Sequence, residues 1–149
     1  SLCMDHTDVK DLNVIIKPHP VLNLEKLKIR LGKLWRQNYI VENGDFNEVV
    51  ANANVLVGST STTLIETLSG GIPVIVVASR KSITQNPIPE QIDKSMWKLV
   101  FDEKELADAI EHFLNNADYV KYEQEGKRIK EDYFEKVTKE GVLKFLNFN

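Results

Sequence analysis

The amino-acid sequence predicts an α/β fold with a mainly parallel sheet. Short apolar runs of strand character alternate with stretches whose apolar residues recur at helical spacing, which is typical of βαβ units. The run Val74-Ile75-Val76-Val77 is apolar throughout, as expected of a strand that is covered on both faces. With 149 residues, 42% of them hydrophobic, the chain is long enough for one domain with a core and too short for two ordinary ones.

Five strands are predicted, each from an apolar run. Pro18 and Pro20 close the first strand, because proline restricts the backbone and supplies no N–H. An Asn43-Gly44 turn ends the second strand. The strands are predicted at residues 14–17, 39–41, 55–57, 73–78 and 97–101. A long irregular loop is predicted over residues 79–95, at the edge of the sheet where ligands bind.

Six helices follow from periodicity and from capping residues. Asn23 and Asp45 are typical N-caps, and Asp102 with Glu105 forms a capping box. Gly70-Gly71 is a typical C-terminal stop. The helices are predicted at residues 23–35, 45–53, 62–69, 102–114, 118–137 and 139–145.

Composition excludes several classes of protein. The net charge of −3 gives no electrostatic reason to expect a nucleic-acid partner. No apolar run approaches the ~20 residues of a membrane span. Cys3 is the single cysteine, so an internal disulfide is excluded and a reducing compartment is favoured. No secretory signal is visible, and we therefore expect a cytoplasmic protein.

The beginning of the chain has the character of a lead-in. Ser1-Leu2 reads as a cloning remnant, and residues 1–12 carry no clear element. We therefore expect residues 1–149 to be a single domain excised from a larger protein.

Gly58-Ser59-Thr60-Ser61-Thr62-Thr63 lies between a predicted strand and a predicted helix. N–H groups at a helix start, together with the helix dipole, attract phosphate, and the hydroxyls add donors. Glu66 lies about one turn further on the same face, where a carboxylate can accept hydrogen bonds from a ribose diol. The simpler interpretation is a helix cap followed by a solvated glutamate. The segment is neither a P-loop nor a G-x-G-x-x-G motif.

Lys17-Pro18-His19-Pro20 follows the first predicted strand. The two prolines stiffen the backbone around His19, which can donate to a phosphate oxygen or transfer a proton near neutral pH. Lys17 adds a positive charge. The simpler interpretation is a strand terminator with an exposed histidine. In a parallel sheet, both polar segments would fall on the same edge, which indicates a ligand that carries phosphate.

These motifs resemble those of the C-terminal, donor-binding half of GT-B glycosyltransferases. The nearest families make bacterial capsule and surface polysaccharides: polysialyltransferases, Kdo transferases and CDP-glycerol glycerophosphotransferases. They carry a His-Pro motif after one strand, matched by His19-Pro20, and later a Ser/Thr-rich motif with an acidic residue in the next helix. Gly70-Gly71-Ile72-Pro73-Val74-Ile75 is similar to their G-x-P-V-I strand. The likeness covers roughly residues 13–100 and implies a Rossmann-like, three-layer domain.

The resemblance implies a role for each matched residue. His19 would stabilise the departing phosphate, and Glu66 would bind ribose or sugar. The donor-binding set would comprise Lys17, His19, Pro20, Gly58, Ser59, Thr60, Ser61, Thr62, Thr63 and Glu66. Arg80 and Lys81, which follow the fourth strand, are further candidates for a donor phosphate or carboxylate. The general base would lie in the missing N-terminal half, so the fragment alone would be inactive.

The implied partners are a nucleotide-sugar donor, CMP- or CDP-linked in the nearest families, and a glycan acceptor. We expect no metal and no cofactor, since Asp-x-Asp and His/Cys clusters are absent from the sequence. The parent enzyme is expected in the bacterial cytoplasm, or at the inner membrane face through its other parts. An unpaired sheet edge would favour a homodimer. Two alternatives stay open: a nucleotide-sugar 2-epimerase of related fold, and a non-catalytic α/β binding module.

Overall fold

The computed structural model describes residues 12–81, 85–134 and 138–145. The lead-in up to residue 11, with Cys3, lies outside the described residues. The described part of the chain forms five strands and six α-helices. In chain order these are β1 (Ile15–Ile16), α1 (Leu24–Leu31), β2 (Ile40–Val41), α2 (Phe46–Val50), β3 (Leu56–Gly58), α3 (Thr63–Ser69), β4 (Val74–Val77), β5 (Trp97–Val100), α4 (Glu103–Asn115), α5 (Tyr119–Tyr133) and α6 (Lys139–Phe145).

Every predicted element is therefore present, although most are shorter than predicted. The first helix divides into α1 and a 3₁₀ turn at Gly32–Leu34, because Gly32 adopts a positive φ of 51° at the end of α1. The long α5 ends at Tyr133. The predicted irregular loop is confirmed at residues 79–81 and 85–95, which form turns and bends, whereas 82–84 lie outside the described residues.

Four short polar side chains begin helices by accepting a hydrogen bond from a first-turn N–H group. These are Asn23 before α1, Asp45 before α2, Asp102 before α4 and Asp118 before α5, with oxygen-to-nitrogen distances of 2.8–3.0 Å. Each such cap stabilises its helix by about 1 kcal/mol. The predicted capping residues at 23, 45 and 102 are confirmed.

The Gly70-Gly71 stop is also confirmed. Gly71 adopts a φ of 79°, which a residue with a side chain would rarely take. Its N–H donates to the carbonyl of Leu68 at 2.9 Å, and the N–H of Ile72 donates to that of Thr67 at 3.3 Å. This pair of bonds is a Schellman motif, which satisfies carbonyls that the end of α3 leaves free.

All strand pairs are parallel, as predicted, but the strands form two sheets rather than one. β1 pairs with β2, and β3, β4 and β5 form a separate sheet in that order. The split follows from the first two strands, which contribute only two residues each. Strands of two residues offer few N–H and C=O groups to a further strand. Pro18 cannot lengthen β1 as a hydrogen-bond donor, because proline has no N–H group.

Helices cover both faces of the three-stranded sheet. Residues in register share a face, so Gly58, Val76 and Leu99 point to one side, and Val57, Ile75 and Lys98 to the other. We call the side with Gly58 the α3 face, because a Cβ at Gly58 would touch the side chain of Leu64 in α3. The other side is the α4 face, because Lys98 reaches the ring of Phe113 in α4, 6.0 Å from its centroid.

Apart from Val50, the buried apolar residues of the described chain lie between Leu64 and Ile129. Val74, Ile75 and Val76 of β4 are fully buried, and α5 closes the α3 face by packing on α3. By contrast, Val50 alone is buried among residues 12–55. None of the helices in the described ranges is long and apolar enough to cross a membrane.

Asp93 stabilises the loop before β5 through two contacts. Its carboxylate accepts a hydrogen bond from the N–H of Ser95 at 2.7 Å and lies 3.2 Å from Nζ of Lys121 in α5. These contacts, the backbone bond first, lower the pKa of Asp93 from 3.8 to about 2.

We expect Asp93→Asn to lower the free energy of unfolding at pH 7 by about 1 kcal/mol, a modest value because the carboxylate is partly exposed. The unfolded chain takes up this proton at a higher pH than the folded chain, so the stabilisation is complete above about pH 4 and is lost towards pH 2. Urea unfolding of both proteins between pH 2 and 7 measures it. Asp108→Asn, on the exposed side of α4, is the control, and a difference that persists at pH 2 contradicts the assignment.

Candidate functional site

The segment that leaves β1 forms a tight turn around His19. The N–H of Leu22 donates to the carbonyl of His19 at 2.8 Å, and the N–H of Val21 donates to its ring Nδ1 at 3.4 Å. A neutral ring that accepts at Nδ1 carries its proton on Nε2, which is therefore available as a donor. His19 and Pro20 are exposed, whereas Lys17 is half-buried.

Gly58 ends β3, and the packing there requires a glycine. A Cβ at this position would lie 2.7 Å from Cδ2 of Leu64, which is 1% exposed and has little room to move. The absence of a side chain therefore lets β3 approach α3 closely. Gly58 has a structural role in placing the Ser/Thr turn that follows.

The Ser/Thr turn supplies its own cap to α3. The Oγ of Ser61 lies 2.7 Å from Oγ1 of Thr63 and accepts from the N–H of Thr63 at 3.3 Å. The N–H groups of Leu64 and Ile65 donate to carbonyls of the same turn. Thr62 is the N-cap residue, but the side chain of Ser61 accepts the bond from the first helical N–H group. An anion would have to be held mainly by hydroxyl groups and by the turn itself.

Several polar groups of this segment remain available. The hydroxyls of Ser59, Thr60 and Thr62 make no hydrogen bond to a described residue, and all three residues are exposed. The carboxylate of Glu66 is exposed and has neither an ion pair nor a hydrogen bond among the described residues. Glu66 follows Thr62 and Thr63 by four and three residues, which places these side chains along one side of α3.

Arg80 is engaged elsewhere in the fold. Its guanidinium lies 2.8 Å from a carboxylate oxygen of Glu105 and 4.8 Å from the ring centroid of Phe101. The second carboxylate oxygen of Glu105 accepts from the N–H of Phe101 at 2.7 Å. These contacts of Arg80 link the segment after β4 to the start of α4. Lys81 is exposed, and its backbone N–H donates to the Ser79 hydroxyl at 3.1 Å.

Residues from both sheets line one groove at the carboxyl edge of the three-stranded sheet. Val77 ends β4, Phe101 directly follows β5, and Ile16 of β1 lies in the same groove. Since β3 runs parallel to β4, the turn after Gly58 also leaves at this edge. This is the edge at which open parallel sheets bind their ligands.

The two polar segments are not joined by direct bonds. In residues 12–81, 85–134 and 138–145, no hydrogen bond or ion pair links the His19 turn to residues 58–66. Surface clefts of about 430 and 460 Å³ are lined by other residues. The part of the chain that the structure describes has no group of three or more His, Cys, Asp or Glu side chains arranged to hold a metal ion.

Sequence reasoning missed the second role of Glu105, which was predicted only as a member of the capping box. The carboxylate also binds Arg80, 25 residues earlier. A capping pattern reports only on neighbours within one helical turn, so it carries no signal for such a partner.

Comparison with models of known protein families gives no match to this chain. A search of curated proteins finds no significantly similar sequence.

Proposed function

We propose that this domain is the donor-binding half of a metal-independent glycosyltransferase that acts in the synthesis of a bacterial surface polysaccharide. The observation that carries the proposal is the carboxyl edge of the three-stranded sheet, where the Ser/Thr turn leaves β3 and where Ile16, which precedes the His19 segment, lines the neighbouring groove. The resemblance of the two motifs to GT-B enzymes supports it. A Rossmann-like nucleotide-binding domain with helices on both faces of its sheet is the corresponding fold.

In this proposal each polar group has a separate task. Nε2–H of His19 and the hydroxyls of Ser59, Thr60 and Thr62 would donate to the nucleotide phosphates. Glu66 would accept from a ribose or sugar diol. Donors fixed by turns stabilise negative charge on the departing phosphate without reorganising, and this is the main catalytic contribution expected here. The acceptor and its general base belong to another domain in this scheme.

The ammonium group of Lys17 would add long-range attraction for the phosphates. Arg80 stays a further candidate for a donor phosphate or carboxylate in this scheme, because its side chain is 65% exposed although Glu105 and Phe101 contact its guanidinium.

We expect titration calorimetry with CMP, CDP, UDP and GDP to show one preferred nucleotide. His19→Ala should weaken its binding at least tenfold, since loss of a hydrogen bond to a charged group costs about 1.5–3 kcal/mol. His112→Ala, which removes another exposed histidine, is the matched control and should bind as the unmodified chain does. Nucleotide binding by Glu66→Gln tests the contact with the diol in the same way, and Glu131→Gln is its control.

Equal loss of binding in the His112→Ala control would point to general unfolding instead of a site. Tight binding that survives both His19→Ala and Glu66→Gln would refute this site. The absence of binding for all four nucleotides, in this chain and in a full-length parent, would favour a non-catalytic binding module.

A further inference from the structure

The outer edge of β5, the last strand of its sheet, leaves main-chain groups open at two residues. The N–H of Ala78 donates to the carbonyl of Val100 at 2.9 Å, so Val100 and, two residues earlier, Lys98 turn their main-chain groups towards β4. The N–H and C=O groups of Trp97 and Leu99 therefore point away from the sheet. Within the part of the chain that the structure describes, none of these four groups forms a hydrogen bond.

Carboxylates close this edge at both ends. The N–H of Ser95 donates to Asp93, and the N–H of Phe101 donates to Glu105, each at 2.7 Å. A further strand can therefore form a full set of main-chain bonds only with the two outward-pointing residues that lie between these positions.

A cleft of about 430 Å³ runs along the same edge, and α4 forms its other wall. Two side chains of opposite charge line it without bonding to each other. Lys98 is half-buried on the α4 face of the strand, and Asp108 is exposed on α4. Neither forms an ion pair with any residue in the described ranges. Both charges are therefore available to a partner in the cleft.

The two charges lie at different levels along β5. Glu105 binds the N–H of Phe101, whereas the ring of Phe113 lies beside Lys98, so α4 runs back along the strand. Asp108 comes between Glu105 and Phe113 and is therefore level with the last residues of β5. A strand laid antiparallel on β5 would meet Asp108 first and Lys98 about two residues later.

A second copy of β5 does not suit this edge. With two-fold symmetry, the open groups of both strands are all used only when Trp97 pairs with Leu99 of the second copy. Lys98 then lies directly opposite Lys98 of the second copy, and like charges in this position are destabilising. The edge therefore favours a different strand, with an acidic residue opposite Lys98.

We propose that the edge of β5 binds an extended segment of another protein by strand addition, and that a basic, an apolar and an acidic residue follow one another in that segment. The segment runs antiparallel to β5, which is the more stable arrangement per residue. Its basic residue faces Asp108, its apolar residue packs on Leu99, which is 37% exposed, and its acidic residue pairs with Lys98. This contact does not depend on the nucleotide site.

Two peptides of identical composition test the proposal on the 149-residue chain. Acetyl-Thr-Lys-Val-Glu-Val-Thr-amide carries the proposed order of charges, and acetyl-Thr-Glu-Val-Lys-Val-Thr-amide carries the reverse. In a titration followed by amide NMR, the first peptide should shift the signals of Trp97 and Leu99 and should bind roughly fivefold more tightly than the second. The double variant Lys98→Glu with Asp108→Lys should reverse this preference.

The matched control is Glu123→Lys with Lys127→Glu, which exchanges the charges of an exposed pair on α5 outside the cleft and should keep the preference. Circular dichroism verifies that each variant folds. N-methylation of both valines removes the peptide N–H groups that bond to β5 and should abolish binding. N-methylation of the glutamate, whose N–H points away from β5, is the control for that change.

Signals of Trp97 and Leu99 that stay unchanged at millimolar peptide overturn the proposal. A preference that the charge exchange at Lys98 and Asp108 does not reverse overturns it as well. Concentration-dependent shifts of the same signals without peptide overturn it in favour of a second copy at this edge.

Discussion

Gly126→Ala is expected to lower the free energy of unfolding by about 3 kcal/mol, although alanine normally stabilises the interior of a helix by about 1 kcal/mol relative to glycine. A Cβ at position 126 would lie 2.6 Å from the backbone nitrogen of Gly71 and 2.9 Å from its Cα. Backbone atoms of a Schellman turn cannot rotate aside as a side chain can. α5 would have to move away from α3, and buried contacts between the two helices would be lost.

Urea unfolding of the variant and of Gly44→Ala measures this effect. Gly44 is the control, because a Cβ there meets nothing within 4 Å and its φ is not positive. We expect that control to stay within about 0.5 kcal/mol of the unmodified chain. If the free energy of unfolding of Gly126→Ala equals that of Gly44→Ala, the result contradicts the close contact between α5 and the Gly70-Gly71 turn.

Leu64→Ala is expected to lower the free energy of unfolding by about 3 kcal/mol, because it empties a fully buried position on the inner side of α3. Gly58→Ala alone should cost about 2 kcal/mol, since the new Cβ would press on Leu64. The double variant is the informative protein. With the leucine shortened, the Cβ at position 58 has space, and we expect the double variant to be no less stable than Leu64→Ala alone.

A double-mutant cycle isolates this coupling, which should reach about 2 kcal/mol. Leu68→Ala combined with Gly58→Ala is the control cycle, because Leu68 is also fully buried in α3 but supplies none of the three atoms nearest to the Gly58 Cβ position. Its effects should add to within about 0.5 kcal/mol. Additive effects in the Leu64 cycle would show that close packing against Leu64 does not require a glycine at position 58. A ligand-binding role for Gly58 would then be favoured.

The sequence predicts the elements of this fold well because their signals are local. Asn23, Asp45 and Asp102 each accept from an N–H within three residues, and Gly71 takes the positive φ that only glycine adopts readily. The alternation of strands and helices also predicts correctly that β1 pairs in parallel with β2 and β3 with β4, since a helical crossover joins each pair. β4 and β5 pair in parallel as well, across a long connection in which the described residues form no helix.

Long-range features were harder to predict. Nothing in residues 14–17 shows that β1 would pair only with β2, because strand neighbours are chosen by tertiary packing. Arg80 has the residue type expected of a phosphate ligand, but its partner Glu105 lies in another element. The hydroxyl groups of residues 59–63 are predicted to bind phosphate, and this stays a prediction. The structure adds that Ser61 accepts a hydrogen bond at the start of α3, which the sequence pattern does not distinguish from ligand binding.

The uneven distribution of buried residues implies that the two parts of this chain differ in local stability. Residues 56–81 and 85–133 hold nearly all the buried apolar groups, so the hydrogen-bonded amides at the centre of β4, β5 and α4 should exchange with deuterium only through global unfolding. Residues 12–55 bury Val50 alone, and should open in a separate, lower-energy step that leaves the rest folded. The His19 turn belongs to this loosely held part. A ligand of that turn must therefore select the closed fraction of molecules, and its apparent affinity is reduced in proportion to the fraction that is open.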